Sequence, residues 1–224
     1  MSEIREQIIQ SIEAHKIIAI VRGVPLSDMP ALAGALYDGG IRLLEITLNQ
    51  SDPAERKATA GCIHLLRETM GDRMYFGAGT VMDKEQLALV HDAGAQFAIS
   101  PNMDEGVIRQ TREYGMVSIP GALTPTEIQS AHIAGADFVK VFPADAMGSA
   151  YIRAIRAPMN HVKLLAVGGV FLNTIDEFWN AGVCGFGLGN AIIDKKKVAA
   201  GDFAGVTAQA AAYTKAADAL VREG

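Results

Sequence analysis

The chain has 224 residues, half of them hydrophobic and a fifth charged, which is enough for one large domain with a sizeable core. The formal net charge of −5, without a basic stripe, argues against nucleic acid as a partner. The two cysteines are far apart in sequence and form no CxxC or zinc-binding pattern, so we expect reduced thiols in a cytoplasmic protein. We also expect no membrane association, because the first ten residues lack an apolar signal core and the longest apolar runs are strand-sized.

Helical and strand-like segments alternate from the start of the chain. Ile4, Ile8, Ile9 and Ile12 recur at helical spacing and predict an N-terminal helix from Glu3 to His15. Short apolar runs, typical of buried strands, then occur eight times, at residues 17–21, 43–48, 74–81, 97–100, 117–120, 138–142, 164–167 and 185–188. Helices are predicted between these runs and after the last one, at residues 28–37, 53–70, 84–92, 104–114, 125–133, 149–156, 173–180 and 202–221.

A weak internal repeat supports this division. The segment AGAQF at residues 93–97 recurs as AGADF at residues 134–138, and each copy places a helix-ending glycine just before a strand. Unbroken alternation of strands and helices predicts a parallel sheet, and eight units in this length fit a (β/α)8 TIM barrel. We therefore predict one barrel domain over residues 1–224, with an N-terminal and a C-terminal helix. A doubly wound open sheet is the alternative, but residues 22–25 (RGVP) are not the GxGxxG loop that often follows its first strand.

A lysine stands in the middle of the sixth predicted strand. Alternation of side chains puts Phe138, Lys140 and Phe142 on one face of that strand. An amine held between two aromatic rings would be desolvated, which lowers its pKa and makes it a nucleophile toward a ketone. The alternative is a lysine near a strand end that reaches solvent or pairs with an acid.

The second predicted strand brings an acid to the same region. One of its faces is entirely apolar and should pack against helices, which turns Glu45, Thr47 and Asn49 toward the inside of the barrel or its mouth. A buried carboxylate there is a candidate general acid or base, although a structural ion pair with Arg22 or Lys140 is also open. With Lys140 facing inward by the same alternation, the amine could form an imine with a ketone while the carboxylate moves protons, and no cofactor would be needed.

Strand ends in this fold carry the other candidate residues. The five histidines (His15, His64, His91, His132, His161) fall on predicted helices or before strands, so we predict no metal site. Glycines end the seventh strand in VGGV (167–170) and the eighth in GLGN (187–190), where a helix starting within residues 190–193 would favour a phosphate. Arg22 could hold a carboxylate or hydroxyls, Thr80 offers a hydroxyl, and Pro101 shapes the mouth, although each could also belong to a simple turn.

Six segments, seen together and in order, resemble the class I aldolases that cleave 2-keto-3-deoxy-6-phosphogluconate (KDPG) or its galactonate epimer (KDPGal), also called the KDPG/KHG aldolase family. The resemblance runs through nearly the whole chain. The segments are residues 45–48 (EITL), 77–81 (GAGTV), 99–101 (ISP), 119–121 (IPG), 138–144 (FVKVFPA) and 168–169 (GG).

The resemblance implies a role for each of these positions. Lys140 would be the Schiff-base lysine and Glu45 the proton shuttle in reversible cleavage to pyruvate and glyceraldehyde 3-phosphate. The resemblance also implies that Thr80 and Pro101 line the pyruvate pocket, that Phe142 flanks the imine, and that the phosphate is held by Gly168, Gly169, Gly189 and Asn190. We further expect Arg22 and Asn49 to bind the carboxylate or hydroxyls of the substrate. Members of the family are typically cytoplasmic homotrimers without a cofactor.

Some positions bear on which epimer is the substrate. Gluconate-type enzymes usually carry arginine where Asn49 stands, and Arg22 and Val167 also resemble the galactonate type, whereas Thr47 is shared with the gluconate and ketohydroxyglutarate types. Asn190 stands where serine is common, so the epimer stays open. Two other functions are carried as alternatives: a metal-dependent sugar-phosphate epimerase or decarboxylase barrel, and a non-catalytic barrel that binds a sugar phosphate.

Overall fold

The computed structural model describes residues 3–221, in which parallel strands alternate with helices. The strands are β1 (Ile17–Val21), β2 (Leu43–Thr47), β3 (Tyr75–Gly79), β4 (Phe97–Ile99), β5 (Val117–Ile119), β6 (Gly121–Ala122), β7 (Val139–Val141), β8 (Leu164–Val167) and β9 (Gly185–Leu188). The helices are α1 (Glu3–His15), α2 (Met29–Asp38), α3 (Pro53–Met70), α4 (Lys84–Asp92), α5 (Glu105–Glu113), α6 (Pro125–Ala134), α7 (Ala144–Arg156), α8 (Ile175–Asn180), α9 (Lys195–Ala199) and α10 (Phe203–Asp218), with a 3₁₀ turn at Leu26–Asp28.

The strands form a closed ring of eight positions, which confirms the predicted (β/α)8 TIM barrel. Their order is β5-β4-β3-β2-β1-β9-β8-β7-β6, and β5 and β6 are two parts of one strand interrupted at Pro120. Proline has no N–H to donate to a neighbouring strand, which explains the break. Its carbonyl still accepts a hydrogen bond from Lys140 N at 2.8 Å, and β6 pairs in parallel with β7. The ring therefore has no free sheet edge, and the open-sheet alternative is wrong.

The two faces of the strands build two apolar layers. The inner layer fills the barrel and consists of Ile8, Ile9, Ile12, Ile18, Leu43, Phe97, Ile99, Val117, Ile119, Phe138 and Leu165. The outer layer lies between strands and helices and includes the alternate residues Leu44, Ile46, Val139 and Val141. The predicted alternation along β2 and β7 is thus confirmed, and it directs Glu45 and Lys140 into the barrel.

Helix α1 has the predicted bounds, Glu3 to His15, and closes the N-terminal end of the barrel. Three of its four isoleucines, Ile8, Ile9 and Ile12, enter the inner layer, and Arg5 forms a buried ion pair with Asp137. The Asp137 carboxylate also accepts a hydrogen bond from Ser118 N at 2.9 Å. Both charges are therefore in contact with partners, which is the condition under which buried ions are tolerated.

Two predicted helix starts differ from the structure by several residues. The predicted helix start at residues 190–193 is wrong, because these residues form a turn in which the Gly189 carbonyl accepts from Ile192 N and Ile193 N. The helix begins instead at α9, where the Asp194 carboxylate caps the N–H of Lys196 at 2.8 Å. Helix α7 begins at Ala144, before the prediction, and includes the non-helical Gly148 at φ 76°.

The ends of the chain and its hydropathy complete the description. Helix α10 ends at Asp218, three residues before the predicted end at 221, and the predicted domain bounds at residues 1 and 224 lie outside the described range. Within residues 3–221, no helix combines the length and the apolar character that crossing a bilayer requires.

Candidate active site

Lys140 lies on β7 with its side chain inside the barrel, and only 7% of its surface is exposed. Its Nζ lies 4.6 Å from the centre of the Phe142 ring. Phe138 was predicted to flank the amine on its other side. It lies in the inner apolar layer, and the centre of its ring is 5.5 Å from Lys163 Nζ. Burial lowers the pKa of Lys140, the Arg22 charge lowers it further, and the Glu45 carboxylate partly offsets both. The amine is therefore biased toward its neutral, nucleophilic form.

Glu45 lies on β2, across the ring from β7, and is 1% exposed. Its Oε1 accepts a hydrogen bond from Thr47 Oγ1 at 3.3 Å, while Oε2 has no hydrogen-bond partner among the described residues. Burial raises the pKa of Glu45, and the charges of Lys140 and Arg22 and the Thr47 hydrogen bond lower it by less. Because it is buried and one of its oxygens lacks a hydrogen-bond partner, this carboxyl is suited to exchange protons with a bound molecule.

A glycine on the neighbouring strand makes room for this carboxyl. Gly79 ends β3, and its register partner on β2 is Thr47. A Cβ at position 79 would overlap Oε1 of Glu45. The sequence singled out the segment that contains Gly79 but gave no signal of this contact, because the two residues are on different strands.

Lys140 and Glu45 influence each other without forming a contact pair. The charge of each lies close enough to shift the pKa of the other, yet within residues 3–221 no ion pair or hydrogen bond joins them. Both are buried in the same barrel at its C-terminal half, where enzymes of this fold carry their chemistry. The amine and the carboxyl are therefore coupled through their charges, rather than joined in a closed structural ion pair.

Arg22 and Thr80 form a second polar pair at the barrel mouth. Arg22 follows β1, and its Nη2 donates to Thr80 Oγ1 at 3.3 Å. Thr80 follows β3 with φ 59°, in the left-handed region. Both residues line a cavity of about 770 Å³ that also reaches Thr47 and Asn49. A guanidinium beside a hydroxyl is a suitable site for a carboxylate.

Asn49 lines the same cavity, but much of its amide is used within its own loop. Nδ2 donates to Glu55 Oε2 at 2.6 Å. Oδ1 accepts from Ser51 N at 3.0 Å and from Ser51 Oγ at 2.8 Å. One of the two Nδ2 hydrogens is left for another acceptor, since an amide nitrogen carries two donors. Sequence reasoning had no means to detect Glu55, which lies at the same cavity.

Pro101 and Phe142 border the mouth near Lys140. Pro101 follows β4 and packs against β6, where a Cβ on Gly121 would overlap the Pro101 carbonyl. The preceding Ser100 fixes this turn, because its Oγ donates to Asn102 O at 2.6 Å. Phe142 follows β7 and is 36% exposed, with its ring beside the lysine amine. Phe142 can therefore shape the space next to Nζ, whereas Pro101 lies against Gly121 of the strand that pairs with β7.

The two glycine turns predicted to hold phosphate have different charge surroundings. Gly168 and Gly169 follow β8 with φ 97° and 68°, and the Asp145 side chain lies against this turn, where a Cβ on Gly169 would overlap it. Asn190, in the turn after β9, is exposed. Nearby, Lys195 Nζ lies 3.1 Å from the point that a Cβ on Gly23 would occupy. The cation is thus on the β9–β1 side of the mouth and the acid on the β8 side.

Histidines take no part in this arrangement. All five lie on helices or in the loop before β8, as predicted, and His132 and His161 meet edge to face with ring centres 4.9 Å apart. Within residues 3–221, no three His, Cys, Asp or Glu side chains converge as metal ligands would.

Comparison with known proteins places this chain in a family. The family model for KDPG and KHG aldolase matches residues 8–209. The chain is 37% identical over 193 residues to the probable 2-dehydro-3-deoxy-6-phosphogalactonate aldolase of Rhizobium meliloti (83% of this chain, 85% of the relative). It is also 37% identical over 202 residues to the 2-dehydro-3-deoxy-6-phosphogalactonate aldolase of Escherichia coli K12 (89% and 93%).

Solved structures give the same result. A native KDPGal structure superposes with a TM-score of 0.80 at 35% identity, covering 90% of this chain and 93% of the other. The KDPG aldolase of Legionella pneumophila, with pyruvate captured at low pH as a covalent carbinolamine intermediate, gives 0.81 at 29% identity and coverages of 91% and 97%. The family match, the identities and the shared architecture agree, and the chain belongs to the KDPG and KHG aldolase family.

Proposed function

We propose that the chain is a class I aldolase that reversibly cleaves a 2-keto-3-deoxy-6-phospho sugar acid to pyruvate and glyceraldehyde 3-phosphate. The observation that carries this proposal is the buried amine of Lys140, with a lowered pKa, facing the same interior as the half-satisfied Glu45 carboxyl. The carbinolamine captured in the Legionella relative supports covalent chemistry with pyruvate in this family. The chain is more similar in sequence to two galactonate-type relatives than to the gluconate-type relatives, which favours the galactonate epimer as the substrate.

The first half of the reaction forms the imine. The neutral Lys140 amine attacks the keto carbon of the substrate, the nitrogen gives up a proton, and the carbonyl oxygen takes one up, which gives a carbinolamine. A second proton delivered to that hydroxyl lets water leave, and a protonated imine remains. Glu45 is the group that moves these protons, because burial raises its pKa and so favours the form that carries a proton.

The second half breaks the carbon–carbon bond. Glu45 accepts the proton of the hydroxyl on carbon 4, the bond between carbons 3 and 4 breaks, and its electron pair moves to the imine nitrogen. Glyceraldehyde 3-phosphate leaves, and an enamine of pyruvate remains on Lys140. Protonation of carbon 3 and hydrolysis of the imine then release pyruvate and restore the amine.

Substrate contacts follow from the positions of the polar groups at the mouth. Arg22 and Thr80 bind the carboxylate next to the keto group, and Pro101 and Phe142 border the pyruvate carbons. Asn49 contacts a substrate hydroxyl through its free Nδ2 hydrogen.

The phosphate binds between the two glycine turns, on the backbone of Gly168, Gly169 and Gly189 and on the Asn190 amide. Lys195 supplies the counter-charge on the β9–β1 side, and the Asp145 carboxylate, against the Gly168–Gly169 turn, pushes the dianion toward that side.

The assembly and location are also proposals. We propose one domain over residues 1–224 that forms a homotrimer in the cytoplasm. Exposed apolar side chains after β7 and β8, namely Met147 in α7 and Phe171 and Leu172 in the loop after β8, are suitable for burial between copies. A molecular mass in solution that matches a single chain would contradict the trimer.

Initial rates of pyruvate release from the two epimers, with and without EDTA, test the proposed reaction. We expect release from both, faster from the galactonate epimer, unchanged by EDTA and abolished by Lys140→Met. A metal-dependent epimerase or decarboxylase would release no pyruvate, and its own conversion of a sugar phosphate would stop in EDTA and continue in Lys140→Met. A non-catalytic sugar-phosphate-binding barrel would release no pyruvate from either epimer.

A further inference from the structure

Thr80 has a backbone conformation that needs support from its surroundings. Its φ of 59° is in the left-handed region, which is unfavourable for a β-branched residue. The same residue presents the hydroxyl that accepts a hydrogen bond from Arg22 at 3.3 Å. A group that fixes the Thr80 backbone therefore also fixes the direction of its hydroxyl.

The side chain of Gln50 makes this contact. Its Nε2 donates to the Thr80 carbonyl at 2.7 Å. This hydrogen bond joins the loop after β2 to the loop after β3. The carbonyl of Gln50 in turn accepts from Arg56 Nη1 at 2.8 Å, which ties its own loop to α3. Gln50 is thus anchored at its backbone while its amide reaches the neighbouring loop.

Gln86 on α4 determines which way the Gln50 amide points. Gln86 Oε1 accepts from Met82 N at 3.0 Å, and Gln86 Nε2 donates to Asp83 Oδ2 at 2.8 Å. Because a backbone N–H can only donate and a carboxylate can only accept, the Gln86 amide has one possible orientation. It meets Gln50 in a reciprocal pair, with Gln50 Nε2 to Gln86 Oε1 at 3.1 Å and Gln86 Nε2 to Gln50 Oε1 at 2.8 Å. The Nε2 of Gln50 must then face the Thr80 carbonyl.

This arrangement leaves one donor directed toward the cavity. The Thr80 oxygen accepts from Arg22, so its hydroxyl hydrogen is available to a bound carboxylate beside the guanidinium. We propose that Gln50 is a positioning residue that acts through Thr80 to hold this Thr80–Arg22 pair in place, and so sets the affinity for the pyruvate half of the substrate. The inference rests on the proposed function, in which that pair binds the carboxylate next to the keto group.

The test measures borohydride inactivation at increasing pyruvate concentrations in Gln50→Met. This change keeps the chain length and removes the amide, and Gln50 is exposed at the mouth, so folding is retained. We expect the half-saturating pyruvate concentration to rise about tenfold, the effect of one lost hydrogen bond to a positioned group, with an unchanged rate at saturating pyruvate and an unchanged melting temperature. The matched control is Gln110→Met on α5, which removes an amide hydrogen bond to Tyr114 Oη and should change neither quantity.

A double-mutant cycle tests whether the effect passes through Thr80. Thr80→Val should raise the half-saturating concentration by itself, and adding Gln50→Met to it should change the value by less than about twofold. Full additivity would overturn the inference, as would an unchanged half-saturation in Gln50→Met while the wild type is inactivated normally. A wild type that is not inactivated at all would instead contradict the proposed function.

Discussion

The two ends of the barrel each bury a basic and an acidic side chain, but they treat the charges differently. At the N-terminal end Arg5 and Asp137 are in direct contact, and the carboxylate has a further backbone donor. At the C-terminal end Lys140 and Glu45 are held apart, and one carboxyl oxygen has no partner among the described residues. A satisfied pair locks α1 onto the barrel, whereas an unsatisfied pair leaves polar groups free for a substrate.

The contrast is also energetic. Breaking a satisfied buried pair leaves one charge without a partner, which is costly. Burying the two members of an unsatisfied pair costs the folded state free energy. Replacing both should therefore stabilise the protein while it destroys activity. The predictions below separate these two effects.

The largest expected effect is on catalysis, in Glu45→Gln. The amide cannot accept and return protons, so kcat for pyruvate release should fall by about 10²- to 10⁴-fold. Steady-state rates on the phospho sugar acid measure this, with circular dichroism to show an unchanged fold. A variant with full turnover would remove Glu45 from the role of proton shuttle.

The next effect is on stability, in Arg5→Met. The Asp137 carboxylate would remain buried without its cation, so the free energy of unfolding should fall by about 3–5 kcal/mol. Urea denaturation measures it, and kcat below the transition should not change. The control is Arg109→Met, which breaks the exposed pair of Arg109 with Glu105 at 2.7 Å and should cost less than about 1 kcal/mol. Equal losses in the two variants would contradict the structural role of the buried pair.

Gly79→Ala should damage the active end without a charge change. The new methyl group overlaps the position of Glu45 Oε1, so the carboxyl must move, and kcat should fall about 10²-fold, as expected for a displacement of roughly 1 Å. The control is Gly61→Ala in α3, where a Cβ meets nothing within 4 Å. That helical control should keep kcat and gain about 0.5–1 kcal/mol of stability. Normal turnover in Gly79→Ala would show that the carboxyl position is not critical.

The double variant Lys140→Met/Glu45→Gln should be inactive but more stable than the wild type. Burial shifts the pKa of each group toward its neutral form, so keeping either one ionised costs the fold free energy. Replacing both should raise the free energy of unfolding at pH 7 by about 1–4 kcal/mol, measured in urea. A clear loss of stability would mean that the two residues act as a structural pair like Arg5 and Asp137.

The smallest effects are shifts of the pH dependence of borohydride trapping. Trapping needs the neutral amine, so its rate should rise with pH through the pKa of Lys140, which lies below that of an ordinary lysine. The Glu45 carboxylate raises this pKa and Arg22 lowers it, so the rise should move to lower pH in Glu45→Gln and to higher pH in Arg22→Gln. Shifts in the same direction would contradict the electrostatic account.

Strand periodicity was sufficient to predict the inward direction of both reactive groups. Apolar residues on alternate positions of β2 and β7 had to face helices, which left Glu45 and Lys140 inside, and the structure confirms this. The number of strand positions followed from the regular spacing of apolar runs and helix-ending glycines. These features depend on neighbouring residues in the sequence.

Contacts between loops could not be predicted in this way. The space that Gly79 leaves for Glu45 and the bond from Gln50 to Thr80 join different strands of the ring. The helix expected at residues 190–193 failed because Asp194 provides the cap, so the helix starts only at Lys195. That shift brings the Lys195 amine to Gly23, a position that the sequence did not suggest.

Borohydride reduction in the presence of pyruvate, followed by digestion and mass spectrometry, tests the central claim most directly. The account predicts a reduced pyruvate adduct on the peptide that carries Lys140, formed at a pH where ordinary lysines are protonated, and no adduct in Lys140→Met. An unmodified Lys140, or an adduct found on an exposed lysine such as Lys163 or Lys195 instead, would contradict it.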